Sequence, residues 1–389
     1  MGVYANTVSI TQYTVTGDLP KNEQFQWFSE KLSGKGFQSI EDSSEESAEG
    51  WVQVDRPDEA AFEAPSDFWR DSYLVFSLRR DQRRVPAAVL KSHTGREEGA
   101  FLAQHPNLRR APKNKREEIK ELVQLRLLTK CLPVPALVDV VWDQKKGILT
   151  LFSLGSKVIE RFEEFFRKTF EGLSPVIIHP FARAALLLDG PLLEALQKAN
   201  QANSDAVTAL IRDNQWLGWD FMLWLLQRGI AGDSDCAVSC PGHFGTGERF
   251  TAWIDDRIQL QGGGEEGGVQ KVSVSGSQDS YLEAISALKG GKRITSATVC
   301  MEKDDNLWKL TLKGETFGFA SFKCPQIRIE KDATVDEMSE REAAFYERMY
   351  LLEQGVQLFD SLFTAFLRER LSDGWATRLA TIQEWLDGK

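Results

Sequence analysis

The stretch from Lys292 to Cys324 constrains the fold of this chain more than any other. Three runs that alternate apolar and polar residues follow one another in KRITSATVCMEKDDNLWKLTLKGETFGFASFKC. The segments EKDDN and KGET lie between these runs and are rich in turn-forming residues. Strands joined by short turns pair in reversed directions, so the stretch predicts an antiparallel meander.

Helical and extended patterns are interspersed through the rest of the chain. Val8 to Gly17 alternates as a strand does, and the segment that ends at Gly34 has a helical pattern. The order strand, helix, strands, basic helix, strands, helix, strand indicates an α+β fold and not a strictly alternating α/β fold. A long helix from Val335 to about Leu371, with a kink near Gly355, and a short tail helix close the chain.

The segment SYLVFSLRRDQRRVPAAVLK has an apolar run, a basic run and a second apolar run after Pro86. It predicts a strand, a basic turn and a second extended segment after Pro86, with the arginines at the tip or flank of a hairpin. Lys91 to Gln104 fits no single pattern, whereas Pro112 precedes a strong helical pattern that runs to Lys130.

Positive charge is concentrated in one window of an otherwise acidic chain. The formal net charge is −10, yet Arg79 to Lys130 holds 14 Lys and Arg against 6 Asp and Glu, a charge of +8. Just upstream, Glu41 to Asp67 holds ten acids and one arginine. Such segregation creates a local field that suits a polyanion, although a solvated helix face with paired charges is the simpler alternative.

The basic window contains a single aromatic residue, Phe101. Proteins that bind single strands stack bases on aromatic side chains, so the window favours phosphate contacts with a duplex and no base readout. The eleven candidate DNA-binding residues in this window are Arg79, Arg80, Arg83, Arg84, Arg109, Arg110, Lys113, Lys115, Arg116, Lys120 and Lys130.

No motif predicts catalysis or a cofactor. Cys236, Cys240 and His243 lie close in sequence but lack a fourth zinc ligand, and whether they bind metal stays open. Asp255 and Asp256 are adjacent on a predicted strand and make a poor two-metal pair. We therefore expect no enzyme activity, no catalytic residue, no metal and no cofactor.

Five scattered cysteines and the lack of a signal-peptide pattern predict a reduced, cytoplasmic protein. The longest apolar run, around WLGWDFMLWLL, is too short for a membrane span, so we expect no membrane contact. A buried helix or a subunit contact is the expected role of this run.

An ordered set of segments resembles the bacterial recombination-associated RdgC family, and no single motif is diagnostic. The segments are GWV at 50–52, RRVPAAVLKSH, LRRAPKNKREEIKELVQLRLL, VDVVWDQKKGILTLFS, SKVIERFEEFFRKTFEGLSPVIIHP, VQKVSVSGSQDSYLEAISALKGGKRITSATVCM and FGFASFKCP. The chain differs in extra length around 233–266 and in a Trp-rich helix, which leaves the closure of a ring open.

The resemblance implies a ring-shaped homodimer with a positively lined hole. It implies binding to double-stranded DNA without sequence preference, possibly to single-stranded DNA, and restraint of a RecA-type recombinase at the nucleoid. By local match, the family's DNA contacts fall on Arg109, Arg110, Lys113, Lys115, Arg116 and Lys130, with Lys271 a weaker match.

The division we expect is an N-terminal α+β sheet domain at 1–90 and 131–182, an inserted basic helical tip at 91–130, and a C-terminal α+β domain with long terminal helices at 183–389. Two other functions stay open. A metal-dependent exonuclease would degrade DNA with Mg²⁺ or Mn²⁺, and an adaptor would dock its basic helix on an acidic protein and fail to retain DNA at physiological salt.

Overall fold

The structure is a computed structural model that describes residues 2–20, 22–43, 45–263, 268–276, 281–327 and 337–387. It divides into two compact units. The large unit comprises Met1–Gly17, Lys146–Arg167 and Gly172–Lys389, and the small unit comprises Asp18–Lys145 and Lys168–Glu171. The three-part division expected from the sequence stays a prediction.

The described elements alternate irregularly between strands and helices along the chain. The strands are β1 (Thr7–Thr16), β2 (Ser47–Val52), β3 (Trp69–Arg70), β4 (Tyr73–Arg83), β5 (Pro133–Asp143), β6 (Ile148–Leu151), β7 (Ser174–Ile177), β8 (Asp235–Ala237), β9 (Arg249–Gly263), β10 (Val269–Ser275), β11 (Arg293–Lys303), β12 (Asn306–Lys313) and β13 (Gly318–Lys323). The helices are α1 (Gln24–Ser33), α2 (Ala87–Gln104), α3 (Lys113–Leu128), α4 (Ser156–Thr169), α5 (Pro180–Leu187), α6 (Gly190–Ala199), α7 (Val207–Asp213), α8 (Trp216–Ile230), α9 (Leu282–Lys289), α10 (Glu337–Arg370) and α11 (Trp375–Asp387).

The small unit is built on an antiparallel sheet in which β4 lies between β2 and β5, with β3 also paired to β4. Its core is aromatic. Trp51 and Phe76 meet edge to face with ring centroids 5.0 Å apart, and Phe170 packs against both rings. Such contacts stabilise beyond the area that they bury. The indole of Trp51 also donates a hydrogen bond to Thr169 at 2.9 Å, so its one polar atom is satisfied.

The large unit has a longer antiparallel sheet in the order β10–β9–β11–β12–β13–β1–β6, with β7 on β1 and β8 on β9. The strands β11, β12 and β13 are the meander predicted from Lys292 to Cys324, so that prediction is confirmed. Together with the described helices, the two sheets confirm the predicted α+β class and the long C-terminal helix.

The Trp-rich run forms helix α8, which is buried as predicted. Phe221 packs against Phe363 with ring centroids 5.3 Å apart, and Trp224 is 1% exposed. No described helix combines the length and the apolar character that crossing a bilayer requires.

The terminal helix α10 continues through Gly355 within its described span, whereas Val335 lies outside the described residues. Gly355 serves close packing, because a Cβ there would lie 2.5 Å from the Trp308 ring. Apolar side chains of α10, including Phe345, Phe359 and Phe363, are fully buried in the chain itself.

The hairpin predicted around RRDQRR is wrong. Strand β4 continues through it to Arg83, and the residues after Pro86 form helix α2. The strand continues because alternate charged side chains on it find partners: Arg79 binds Asp81, and Arg83 donates to backbone carbonyls. Pro86 immediately precedes the first turn of α2, where a missing N–H costs nothing.

The five cysteines are free thiols, and four of them are buried. The Cys236 thiol contacts the Ser234 carbonyl, the Cys240 thiol lies 3.4 Å from the Thr364 hydroxyl, and His243 Nε2 lies 3.0 Å from Glu353. Within the described ranges, no group of three or more His, Cys, Asp and Glu side chains could hold a metal ion.

Gly50, in strand β2, provides a test of packing in the small unit. A Cβ at Gly50 would lie 2.3 Å from Phe37 Cα, so Gly50→Ala must displace backbone, and we expect it to lower the free energy of unfolding by about 1–3 kcal/mol. Gly99, in helix α2, has no atom within 4 Å of such a Cβ, so Gly99→Ala should stabilise by about 0.5–1 kcal/mol. Urea unfolding measures both changes, and equal stability of the two variants would contradict this packing.

Arg83 provides a second test, because its guanidinium donates to the carbonyls of Ile40, Glu41, Ser43 and Cys131. Arg83→Met leaves these acceptors without their donor, and we expect a loss of about 3 kcal/mol in the free energy of unfolding. Arg84 is exposed, so Arg84→Met should change stability by less than about 0.5 kcal/mol. Thermal melting of the pair distinguishes a structural arginine from a surface one.

Candidate nucleic-acid interface

The basic window forms a helical hairpin in the small unit. Helix α3 packs against helix α2 through Ile119, Val123 and Leu127, which together with Val85, Leu90 and Phe101 form a small separate core. These three residues of α3 follow one another at i, i+4 and i+8, the spacing of one helix face. The remaining faces of α3 are therefore available for charged side chains.

The turn between the two helices carries Arg109 and Arg110. Both side chains are exposed, and neither has an ion pair or hydrogen bond with a described residue. Lys113 follows at the first position of α3 and is 80% exposed, with only a 4.0 Å contact to Glu117. We call these three residues the tip cluster.

One flank of α3 extends the tip cluster. At about 100° per residue, Lys113, Arg116 and Lys120 lie within about 60° of one another around the helix. Lys120 is exposed, and Arg116 is half-buried with its Nε hydrogen-bonded to no described atom. A buried donor without an acceptor is costly, so Arg116 has unused capacity for an anion at this flank.

The opposite flank is neutralised within the hairpin. Lys115 binds Glu118 at 2.7 Å and lies 5.8 Å from the centre of the Phe101 ring. Arg126 binds Glu97 at 2.7 Å across the two helices. Pairing within the hairpin, the simpler explanation for the charge run, therefore applies to this flank, whereas in the tip cluster it is limited to the 4.0 Å contact of Lys113 with Glu117.

A second pair of cations lies at the other end of the hairpin. Arg84 precedes α2 and Lys130 follows α3, and both are exposed. Arg83 donates to the Cys131 carbonyl, which holds the two chain ends together. Since the 16 residues of α3 span about 24 Å, this root pair lies that far from the tip cluster, roughly the length of 7 base pairs.

The arginines of β4 are used inside the small unit. Arg79 is 11% exposed and binds Asp81 at 2.9 Å and Asp58 at 2.6 Å. Its pKa is raised, chiefly by the hydrogen bond to Asp81. Arg83 is 6% exposed, and Arg80 is half-buried with partners of its own. Phosphates would have to compete with these partners, so we leave the β4 arginines out of the interface.

The acid-rich segment before β4 accounts for part of this pairing. Besides Asp58, it supplies Asp55, which pairs with Arg70 across a partly buried contact, and Asp67, which binds Arg56 at 2.9 Å. The charge segregation of the sequence is thus partly neutralised in space. In the hairpin, by contrast, Arg109 and Arg110 have no ion pair with a described residue.

The small unit also exposes apolar side chains that the charge pattern did not point to. Leu122 and Leu125, on the outer face of α3, are 59% and 58% exposed. Three more lie at the start of β5: Leu132, Val134 and Leu137. The only sequence signal for these exposed side chains was the number of apolar residues in α3, which is larger than one core-facing stripe of a helix can hold.

Lys271 lies in the large unit, on β10, and is exposed. Its cross-strand partner is Gln261 of β9, which in turn pairs with Arg293 of β11. The sequence placed Lys271 on a strand, which the structure confirms, and its role in DNA binding stays a prediction.

A comparison with family models matches residues 9–188 to the RdgC family, described as "Putative exonuclease, RdgC". A comparison with curated proteins gave no match. The matched range includes the whole helical hairpin and ends before Lys271. Residues 9–188, which include the basic hairpin of the small unit, are thus similar to the RdgC family.

Proposed function

We propose that the chain binds double-stranded DNA without sequence preference and modulates homologous recombination. The observation that carries this proposal is the set of exposed cations at the two ends of the hairpin, among which Lys113 has only a 4.0 Å contact with an acid, Glu117. Arg109, Arg110 and Lys113 contact phosphates at one end, and Arg84 and Lys130 contact them at the other, with Arg116 and Lys120 between.

The spacing of these cations favours a duplex. Contacts about 24 Å apart can reach phosphates about 7 base pairs apart on one stiff helix. The only aromatic side chain in this region, Phe101, is in the hairpin core and offers no base-stacking surface. Lys and Arg that meet phosphates position DNA but do not read its sequence.

The family supports a role in recombination. A protein that covers duplex DNA by phosphate contacts denies the same surface to a recombinase filament, so we infer that the chain restrains a RecA-type recombinase. This role places it in the cytoplasm at the nucleoid. It requires neither cofactor nor catalysis, and we propose that the chain is not an enzyme.

The family description names an exonuclease, so a nuclease is the second candidate. Metal-dependent nucleases hold their ions with clustered carboxylates. In the part of the chain that the structure describes, no such cluster is present, and Asp256 is instead paired with Lys309. Incubation of labelled duplex with the protein in Mg²⁺ or Mn²⁺, compared with EDTA, decides between the two, since metal-dependent degradation would favour the nuclease.

We also propose that the chain acts as a homodimer, in which two basic hairpins would border a ring. The support is the exposed apolar surface of the small unit, because Leu122, Leu125 and Val134 are each more than half exposed. Side chains of this kind, grouped in one unit, are typical of association surfaces. Contact through them would leave the basic flank of α3 free for DNA.

The first functional prediction concerns salt dependence. Each phosphate contact contributes about −0.9 to the slope of log K against log salt concentration. Replacing Arg109, Arg110 and Lys113 by Gln should flatten that slope by up to about 2.7 per chain, equally for unrelated duplexes. Anisotropy titrations at several salt concentrations measure it, and the same variant should lose its inhibition of recombinase-driven strand exchange.

The matched control removes the same charge elsewhere. Lys198, Lys323 and Arg368 are exposed cations of the large unit, and their triple Gln variant should keep the wild-type slope. Equal flattening by both variants would mean that net charge alone matters. An unchanged slope in the folded tip variant would leave the adaptor as the better proposal.

The second functional prediction concerns assembly. Light scattering should give twice the chain mass of 43.9 kDa for the native protein and the chain mass for Leu122→Glu/Leu125→Glu. Two carboxylates buried at an apolar contact are strongly unfavourable. Leu186 is 57% exposed in the large unit, so Leu186→Glu serves as the control and should stay dimeric. A native protein that is monomeric at micromolar concentration contradicts the proposal.

A further inference from the structure

The large unit contains a cavity of about 420 Å³ that duplex binding by the hairpin does not use. It lies where the end of α8 and the start of α9 meet strand β9. Its lining combines the apolar residues Leu226, Ile230 and Ile254 with Trp253, Asp255 and Tyr281. A cavity of this size, apolar with a few polar groups, is typical of a site for a small ligand or a single side chain.

The cavity borders a gap in the pairing of β9. On one edge, β9 pairs with β8 through residues 249–251 and with β10 through residues 257–263. None of the described strands pairs with residues 252–256 on that edge. The Tyr281 hydroxyl instead donates a hydrogen bond to the Ile254 carbonyl there. A side chain thus replaces a neighbouring strand, and open space remains beside it.

The backbone around the cavity has an unusual conformation at two places. The pairing of β9 with β11 skips Asp256 and Arg257, which form a bulge. Asp256 has a φ of 62°, and Tyr281 has a φ of 51°. Left-handed backbone is costly for residues other than glycine, most of all for bulky ones. Bulges and such residues are concentrated beside functional sites, and here both occur at one cavity.

The two adjacent carboxylates at the bulge differ in their partners. Asp256 forms an ion pair with the ammonium group of Lys309. The half-buried Asp255 has no ion pair or side-chain hydrogen bond with a described residue. Its charge acts on the cavity wall, because the pKa of the Tyr281 phenol is raised to about 12, first by burial and then by Asp255. A carboxylate partly withdrawn from water and left unpaired favours a cation beside it.

Aromatic rings form another part of the lining. Trp253 is half-buried, and no aromatic ring or cation among the described residues lies against its indole. Tyr281 is 8% exposed, and its hydrogen bond to Ile254 holds the phenol in place. Aromatic faces attract organic cations, and a carboxylate beside them supplies the counter-charge. The cavity therefore has the groups that recognise an ammonium ion on a carbon chain.

We propose that this cavity binds an alkylammonium group, with Asp255 as its counter-ion and the Trp253 ring against it. Leu226 and Ile230 contact the carbon chain, and the Ser234 hydroxyl, also in the lining, offers a second acceptor. A free amine and a lysine side chain share this chemistry. The site does not depend on the hairpin, and its failure would leave duplex binding intact.

The test is calorimetric titration of the full chain with putrescine, a diamine with the four-carbon chain of lysine, at low ionic strength. Asp255→Asn should weaken binding by roughly 10- to 150-fold, the equivalent of one hydrogen bond to a charged group. Trp253→Leu should weaken it by roughly 2- to 30-fold, whereas Trp253→Tyr keeps an aromatic face and should bind within about threefold of the native protein.

Three control variants should bind putrescine as the native protein does. Glu194 is an exposed acid of the large unit, so Glu194→Gln removes the same charge outside the cavity. Trp219 is half-buried in the same unit and lines a different cavity, so Trp219→Leu removes an indole elsewhere. The tip variant tests independence from the hairpin. Uncharged butanediol in place of putrescine should not bind to the native protein.

A lysine-containing peptide and its acetylated form distinguish the two sources of the ammonium group. Binding of putrescine alone would assign the cavity to a free amine, and binding of the unmodified peptide alone would assign it to a lysine side chain. Because acetylation removes the charge, equal binding of both peptides would overturn the proposal.

The proposal also fails if neither putrescine nor the unmodified peptide binds to the native protein. Native affinity in Asp255→Asn, or an equal loss in Glu194→Gln, would overturn it as well. If Trp253→Leu does not fold, Asp255→Asn decides alone, since it keeps the shape of the side chain.

Discussion

Burial of arginine in strand β4 is the constraint on which the small unit depends. A guanidinium withdrawn from water is stable only if acceptors surround it. The Arg83 guanidinium donates hydrogen bonds to backbone carbonyls on both sides of the strand, between Ile40 and Glu45 and at Cys131. These hydrogen bonds hold the segment before β2 and the end of α3 against strand β4. They therefore also fix the position of the two chain ends from which the hairpin starts.

The need of a buried guanidinium for acceptors also explains which charged residues of the sequence pair in the fold. Arg79 forms ion pairs with Asp58 of the acid-rich segment and with Asp81 of its own strand. The sequence showed a basic block beside an acidic one, which suggested two opposed surfaces. In the fold, the edges of these blocks neutralise each other, whereas Arg109 and Arg110 at the hairpin turn are exposed and have no ion pair with a described residue.

Elements in which apolar residues recur with a clear period could be predicted from the sequence. The meander, with its strand alternation, and helix α3, with its helical spacing, are examples. Strand β4 was misjudged because its alternation places arginines on a buried side, which propensity rules treat as a turn. Helix α2 was ambiguous because Gly95 and Gly99 weaken a pattern that has only a short apolar stripe. In both cases, partners distant in sequence decide the outcome.

Charge counting could find the hairpin cations but could not separate free side chains from paired ones. The cations on the sheet of the large unit were less accessible still. Lys271, Arg293 and Lys313 are separated by up to 42 positions in the numbering, and only strand register places them on one face of the sheet. An isolated basic residue in a strand carries no signal of its own, so such a row is visible only once the pairing is known.

The small separate core of the hairpin has a consequence for kinetics. Six partly or fully buried side chains hold α2 to α3, far fewer than hold the sheets. Segments with few buried contacts open locally at low free energy, well below that of global unfolding. Under the duplex-binding proposal, part of the binding energy would go into ordering such a hairpin. Complexes formed at that cost would exchange more readily than complexes of a rigid surface with the same contacts.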